Sequence, residues 1–381
     1  MNRKAASRIA SGHPWIFASD VLDRGEAVAG DPVIVIDPKG ATLGVAHYSD
    51  SSQISLRLLA EKPCAIERAF YSERIAGAEA YRKRVVTGSN AYRLVHAEAD
   101  QLPGLIIDRY ADCFTIQTLD QGMDRAKAEI ISCLGELFQP RGVVERNDAA
   151  VRRRESLPVQ SGVVFGDVPE MVSIEMNGLM LQADLVHGQK TGVFLDQREN
   201  YLAAARWARG SALDCFTSTG GFALHLARSC STVEAVDSSE ASLQIAARNR
   251  DANQFGNIEF RQADVFELLA RYAAARRRFD MVVLDPPAFA KSRGHLGQAV
   301  RGYKEINRRA LELLASGGVL VTCSCSHHLS EADFLETIAA ASLDTHRRLR
   351  VLERRTQASD HPILLTVPET MYLKCLILEV L

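Results

Sequence analysis

Two thiols, Cys323 and Cys325, stand in the run Val321-Thr322-Cys323-Ser324-Cys325-Ser326, behind Gly317-Gly318 and the apolar Val319-Leu320-Val321. The pattern reads as a strand that delivers a soft nucleophile to a loop. Upstream, Asp285-Pro286-Pro287-Ala288-Phe289 follows Met281-Val282-Val283-Leu284. Here the prolines fix the backbone and remove N–H donors, so carbonyls and a ring can hold a flat base. A third stretch, Asp214-Cys215-Phe216-Thr217-Ser218-Thr219-Gly220-Gly221-Phe222, reads as a strand end, a glycine turn and a helix start. A nucleotide-type cofactor, a flat substrate and a thiolate at one sheet edge are what methylation of a pyrimidine ring carbon requires. Carbon 5 of cytosine is weakly nucleophilic. A thiolate adding at carbon 6 makes it enamine-like, a sulfonium can then donate methyl, and a base removes the carbon 5 proton. Strand alternation would put Cys323 and Cys325 on one face, so the residues alone leave both open as the nucleophile. The bland alternative is a pair of core thiols.

Three acids after three successive strands outline the cofactor site. Asp214 can pair with the cationic amino-acid part of S-adenosylmethionine. Gly220 and Gly221 let the backbone pass close to a ligand. Asp237 ends Val233-Glu234-Ala235-Val236, about twenty positions on, where an acid suits two ribose hydroxyls. Asp264, in Gln262-Ala263-Asp264, is placed to read an adenine amino group. Each acid alone also reads as a helix N-cap. The turn is neither Gly-x-Gly-x-x-Gly nor a phosphate loop, so a cofactor without phosphates fits best and a nicotinamide is the main rival.

The elements that position these residues follow from periodicity. From about residue 190, short apolar strands near 211–215, 232–236, 258–262, 279–284 and 317–322 alternate with helical stretches near 221–229, 239–254, 264–275, 303–315 and 330–343. A last strand lies near 372–380. That alternation predicts an α/β fold, a mostly parallel doubly wound sheet that binds ligands at its carboxyl edge. Residues 1–70 read as short strands of a small β-barrel-like module. Residues 71–185 read as a small α+β domain, with a helix over 123–138 and a hairpin closed at Asn177-Gly178.

At 381 residues and 47% hydrophobic content the chain can bury more than one core and is not disordered. A net charge of −2 gives no global signal for nucleic acid, so any such affinity rests on local clusters. Candidates are Arg152-Arg153-Arg154, Arg276-Arg277-Arg278, Arg347-Arg348 and Arg354-Arg355, each of which also reads as a solvated face. The eight cysteines lack zinc-type spacing, so no metal is expected. With no secretory h-region and no long apolar run, free thiols point to the cytoplasm and to no membrane association.

The chain resembles the bacterial ribosomal RNA large-subunit methyltransferases that make 5-methylcytosine, which are class I S-adenosylmethionine-dependent enzymes. Beyond the three stretches above, the resemblance rests on Gly12-His13-Pro14-Trp15-Ile16-Phe17, Asp100-Gln101-Leu102-Pro103-Gly104-Leu105-Ile106-Ile107-Asp108-Arg109-Tyr110, Gly188-Gln189-Lys190-Thr191-Gly192-Val193-Phe194-Leu195-Asp196-Gln197-Arg198 and Pro368-Glu369-Thr370-Met371-Tyr372-Leu373-Lys374. It implies an N-terminal RNA-binding PUA domain over 1–70, a central α+β domain over 71–185 and a Rossmann-like catalytic domain over 186–381. It implies S-adenosylmethionine beside Phe194, Asp196, Gln197 and Arg198, together with Asp214, Phe216, Gly220, Gly221, Asp237, Asp264 and Asp285. Lys190, Pro286, Pro287 and Phe289 would touch substrate. The thiol common to the family matches Cys325, which puts Cys323 second. The implied partner is 23S ribosomal RNA, free or in a partly assembled large subunit; the oligomeric state is left open, a homodimer being one option. The Asp-x-Pro-Cys of another subgroup is replaced by Asp285-Pro286-Pro287-Ala288, so its product-release cysteine is absent and the proton acceptor is left to water or Asp285.

Two other readings remain. An Asp-Pro-Pro-aromatic turn also suits methylation of a guanine nitrogen, which needs no cysteine. A non-catalytic RNA-binding or assembly protein could keep the same domains but need not bind S-adenosylmethionine.

Overall fold

The structure, a computed structural model, describes residues 1–188, 192–289 and 293–381. Its contacts divide the chain into two compact units, and both are discontinuous in sequence. The first comprises Met1–Met176, Ala183–Leu195 and Ser359–Thr370; the second comprises Asn177–Gln182, Asp196–Ala358 and Met371–Leu381.

The first unit opens with a helix where only strands were expected. Asn2 caps α1 (Arg3–Ala10) by accepting from the Ala5 N–H. An antiparallel sheet follows, built from β1 (Trp15–Phe17), β2 (Pro32–Ile36), β3 (Thr42–Tyr48) and β4 (Ile54–Ala60) in the order β1-β4-β3-β2. Its core gathers Ala5, Ile16, Val35, Ala46, Tyr48 and Leu56. The long helix α2 (Arg68–Val85) leads to a second sheet of β5 (Ala91–His96), β6 (Leu105–Tyr110), β7 (Cys113–Thr118), β8 (Gly142–Asn147) and β9 (Gln160–Gly166), in sequential order. The helix expected over 123–138 is two helices, α3 (Gln121–Arg125) and α4 (Lys127–Phe138). Asp120 caps the first of them from the Met123 N–H, and its burial fixes where the turn begins. Arg152, expected at the surface, is fully buried: its guanidinium donates to Thr118 and Asp124 and to the Pro158 carbonyl. The chain then turns at Asn177-Gly178 between β10 (Val172–Met176) and β11 (Leu179–Ala183), as the turn residues predict.

The second unit is the alternating α/β structure. Its helices are α5 (Arg198–Ala205), α6 (Gly221–Leu226), α7 (Glu240–Ala252), α8 (Val265–Ala274), α9 (Leu296–Leu313) and α10 (Glu331–Asp344). Its strands are β12 (Ser211–Cys215), β13 (Thr232–Asp237), β14 (Ile258–Gln262), β15 (Phe279–Leu284), β16 (Leu314–Ser324), β17 (Leu349–Arg355) and β18 (Lys374–Val380). They form one sheet in the order β14-β13-β12-β15-β16-β18-β17, parallel except where β18 runs antiparallel to its two neighbours. Strand order reverses between β12 and β15, and in sheets of this kind ligands bind at the carboxyl edge beside that reversal. The inner strands β15, β16 and β18 carry near-continuous apolar runs because both their faces are covered, while the edge strands β14 and β17 carry charges. Leu213, Val236, Val282, Leu284 and Leu320 pack with Leu268, Tyr303, Ile306, Leu311 and Phe334 of the helices.

Candidate active site

Asp214 stands near the end of β12 and is fully buried. Its Oδ2 accepts from the Thr217 hydroxyl at 2.6 Å and the Ala223 N–H at 3.0 Å, while Oδ1 has no hydrogen-bond partner. Burial, with Asp285 and Asp237 nearby, pushes its carboxyl up to about 7. A buried acceptor without a donor, in a group of acids, calls for a cationic ligand. The α-ammonium and sulfonium of S-adenosylmethionine meet that need.

The turn after β12 is held in unusual backbone geometry. Phe216 and Ser218 adopt left-handed conformations at φ 64° and 49°, and Gly220 lies at φ 90°. Non-glycine residues in that region store strain, here at the site itself. Gly221 serves a neighbour: a Cβ there would sit 2.4 Å from the Tyr201 ring. Tyr201 stacks on His225 at 5.1 Å and meets Phe222 edge-on at 4.7 Å. His225 is pushed down to about 4 by burial and is neutral; its Nδ1–H donates to the Gly221 carbonyl and Nε2 accepts from Asn177. Asp237 fixes the same turn, since its oxygens accept from the Ser218 and Ser239 N–H groups, each at 2.9 Å.

The structure brings several of the expected residues to one place. Burial raises the Tyr201 phenol well above its ordinary range, and Asp285, Asp196, Asp214 and Cys323 raise it further, so all four lie within electrostatic reach of that ring. Asp196 and Gln197 are buried at the lead-in to α5. Asp196 accepts from the Tyr372 hydroxyl at 2.8 Å, and Gln197 accepts from Asn200 at 2.7 Å. Arg198 is also buried, with its carbonyl accepting from Asn177. Phe194 is half-buried and belongs to the first unit. Asp264 is exposed and caps α8 through the Glu267 N–H at 3.0 Å. Lys190 lies outside the described residues.

At the carboxyl edge of β15, Asp285 is half-buried, Pro286 buried and Pro287 exposed. Phe289 is half-buried; its ring lies 4.6 Å from that of Tyr303 and packs close to Gly302.

The two thiols separate sharply. Cys323 is fully buried within β16, opposite Cys375 of β18, and burial with that neighbour pushes it well up. β16 ends at Ser324, so alternation stops before Cys325, which is half-buried between the buried Ser324 and Ser326. Leu284 of β15 pairs with Thr322 of β16, so the Asp285 turn and the Cys325 loop leave neighbouring strands on the same edge. Sequence reasoning did not single out Thr217, Tyr201, Tyr303, Tyr372 or Lys374. Thr217 carried a signal as part of the Asp214–Phe222 stretch, and Tyr372 and Lys374 as part of the terminal Pro-Glu-Thr-Met-Tyr-Leu-Lys motif; Tyr201 and Tyr303 carried none.

Acids at the ends of β12, β13 and β15, beside the switch point of such a sheet, define a class, and the comparisons with known proteins agree. Residues 151–376 match the S-adenosylmethionine-dependent methyltransferase family, and residues 1–61 match a PUA-like domain. The chain belongs to that methyltransferase family and uses S-adenosylmethionine on a class I fold. More narrowly, it belongs with the proteins called ribosomal RNA large subunit methyltransferase I. It is 41% identical to the one from Shewanella amazonensis, across 97% of this chain and 95% of the relative. It is 39% identical to the one from Escherichia coli, across 95% and 94%. The fold is shared with SMU.776, solved in complex with SAH, at a TM-score of 0.86 and 20% identity over 100% of this chain and 98% of that one.

Proposed function

We propose that this protein methylates carbon 5 of a cytosine in 23S ribosomal RNA, with Cys325 as the nucleophile. The observation that supports this most is the difference between the thiols: Cys325 is half-buried on the edge it shares with Asp285, while Cys323 is sealed in the core. The relatives' name, ribosomal RNA large subunit methyltransferase I, supports the substrate class.

In this reading the Cys325 thiolate adds to carbon 6, and the electron pair of the carbon 5–carbon 6 bond becomes available at carbon 5. Bound S-adenosylmethionine supplies an electrophilic methyl group. Once carbon 5 carries that methyl, its proton leaves to water or Asp285, and the sulfur–carbon 6 bond breaks to restore the thiolate. Asp214 would hold the cationic end of the cofactor, Asp237 its ribose and Asp264 its adenine, with Phe194, Asp196, Gln197, Arg198, Phe216, Gly220 and Gly221 around it. Pro286 and Pro287 would shape the slot for the base, with Lys190 a further contact. Residues 1–70 and 71–185 would grip the RNA, and residues 186–381 would do the chemistry. The target base must leave its stack to reach the edge. No helix among the described residues is long and apolar enough to cross a membrane, and we place the enzyme in the cytoplasm, where ribosomal RNA is modified.

The test is methylation of RNA from a strain lacking the enzyme, with mass mapping of the product. Cys325→Ala should lower turnover at least about a thousandfold, the scale of losing a nucleophile, while binding S-adenosylmethionine within a few-fold of wild type. RNA carrying 5-fluorocytidine should form a denaturant-stable adduct with wild type and none with the variant. A methyl group mapped to a guanine nitrogen, or full activity in Cys325→Ala, would overturn the proposal. Failure of the wild type to bind S-adenosylmethionine would point to a scaffold.

A further inference from the structure

Lys374 opens β18 and pairs in register with Ser324, the residue just before Cys325. It is almost wholly buried. Its Nζ reaches back over the Cys325 loop and donates to the Ser326 carbonyl at 2.7 Å and the Tyr372 carbonyl at 2.8 Å. Carbonyls satisfy N–H donors but do not neutralise the charge, and Lys374 forms no ion pair with an acid among the described residues. A buried lysine in that state needs a counter-charge. The groups that face it are Cys325 on the loop, Glu331 on α10 and His327, which burial first, and then the charge of Lys374 with His328, push down. Glu331 is already paired with Arg354 at 2.9 Å. Tyr303 of α9 completes the ring of groups by sharing a hydrogen bond with Ser326 at 3.0 Å and sensing Cys325.

We propose that Lys374 is a positioning residue for Cys325: its ammonium, pinned on the carbonyls of Ser326 and Tyr372, favours the thiolate at the mouth of the site. The inference rests on the reading of Cys325 as nucleophile. A free thiol is only a few per cent ionised at neutral pH, and a nearby cation in a poorly screened place is what raises that fraction. Burial itself pushes the Lys374 amine down to about 8, while Cys325 and Glu331 push it back up. The same lysine organises the loop, because its two hydrogen bonds hold the chain on the far side of the thiol.

Site-resolved alkylation tests this on the full-length protein. The rate of iodoacetamide labelling at Cys325 is followed by mass spectrometry from about pH 5 to 10. Wild type should reach half its maximal rate at least one unit below the free-thiol value of about 8.5. In Lys374→Met the midpoint should rise by at least one unit, and methylation at pH 7 should fall at least about tenfold through kcat, with partial recovery at higher pH. Lys374→Arg keeps the charge and should return the midpoint towards wild type. A midpoint unchanged between wild type and a cooperatively melting Lys374→Met overturns the proposal. If that variant does not fold, a wild-type midpoint at or above the free-thiol value overturns it alone. The two readings fail separately: an active Cys325→Ala with a shifted midpoint removes the nucleophile but keeps the pairing, whereas an inactive Cys325→Ala with an unmoved midpoint does the reverse.

Discussion

Asp214 carries the sharpest electrostatic consequence of the site. In the unfolded chain its carboxyl titrates near 3.9; in the fold, burial first and then Asp285 and Asp237 raise it to about 7. A folded value above the unfolded one gives stability that is fully present below the unfolded value and lost as pH rises through the folded one. The cofactor-free protein should therefore weaken between about pH 4 and pH 7, by on the order of 4 kcal/mol at about 1.4 kcal/mol per unit. Asp214→Asn removes that titration, so its cofactor-free melting temperature should change less across the same window and exceed wild type near pH 7. The variant should also lose at least about tenfold in S-adenosylmethionine affinity, since it gives up a charge-assisted partner. Melting curves against pH, with and without the cofactor, check both; identical pH profiles for the two proteins would show that Asp214 is not the titrating group. The acid was legible from its place at a strand end, but its unpaired oxygen was not, because that depends on Thr217 and Ala223 taking the other one. The choice between Cys323 and Cys325 was likewise hidden from periodicity, since it turns on β16 ending at Ser324.

At the scale of elements, alternation located the five parallel strands of the catalytic sheet within a few residues but passed over β17. That strand reads Leu-Arg-Val-Leu-Glu-Arg-Arg, and a register shift between Val351 and Glu353 breaks its period of two. It is an edge, and its charges serve as such: Arg350 pairs with Glu379 and Arg354 with Glu331. Arg354 and Arg355, read from sequence as a cluster that could be a solvated face, thus stand on the rim of a sheet, and Arg350 joins them there. The helix α1 escaped although it is amphipathic, because its eight residues make barely two turns, too short a window to be told apart in a strand-rich stretch. Asp264 illustrates the opposite ambiguity, as an N-cap that also stands where a cofactor's adenine is expected. Substitution can separate the roles. Asp264→Ala should cost about 1 kcal/mol of stability through the lost cap of α8. Asp264→Ser keeps a capping oxygen but shortens the reach, so it should melt like wild type while binding S-adenosylmethionine several-fold more weakly. Calorimetry that finds wild-type affinity in both variants would assign Asp264 to the cap alone.

At the scale of the whole chain, sequence gave no hint that the two units interleave. Ser359–Thr370 lies late in the sequence yet belongs to the first unit. There the Ser359 carbonyl accepts from the Tyr81 hydroxyl at 3.1 Å, the Asp360 carbonyl from the fully buried Arg82 at 2.9 Å, and the Asp360 carboxylate from the Arg93 N–H at 2.8 Å. His361 completes the contact edge-on to His96 at 5.3 Å. Partners so far apart in sequence leave no local pattern to read. The chain then goes back to the second unit, where β18 is laid between β16 and β17, the last strand to be made but an interior one. Such non-local pairing is slow to form, because loop closure must precede any reward. A protein ending at residue 358 should therefore fail in both units at once. The first would keep a buried arginine short of an acceptor, and the second would leave the unpaired edges of β16 and β17 with nothing between them. We expect that truncation to be insoluble, or soluble only as a collapsed state with secondary structure but no cooperative melt and no cofactor binding. Near-ultraviolet circular dichroism and a thermal scan decide it. A truncated chain that melts cooperatively and still binds S-adenosylmethionine would show that the returning segment is an appendage and that the second unit closes its sheet without β18.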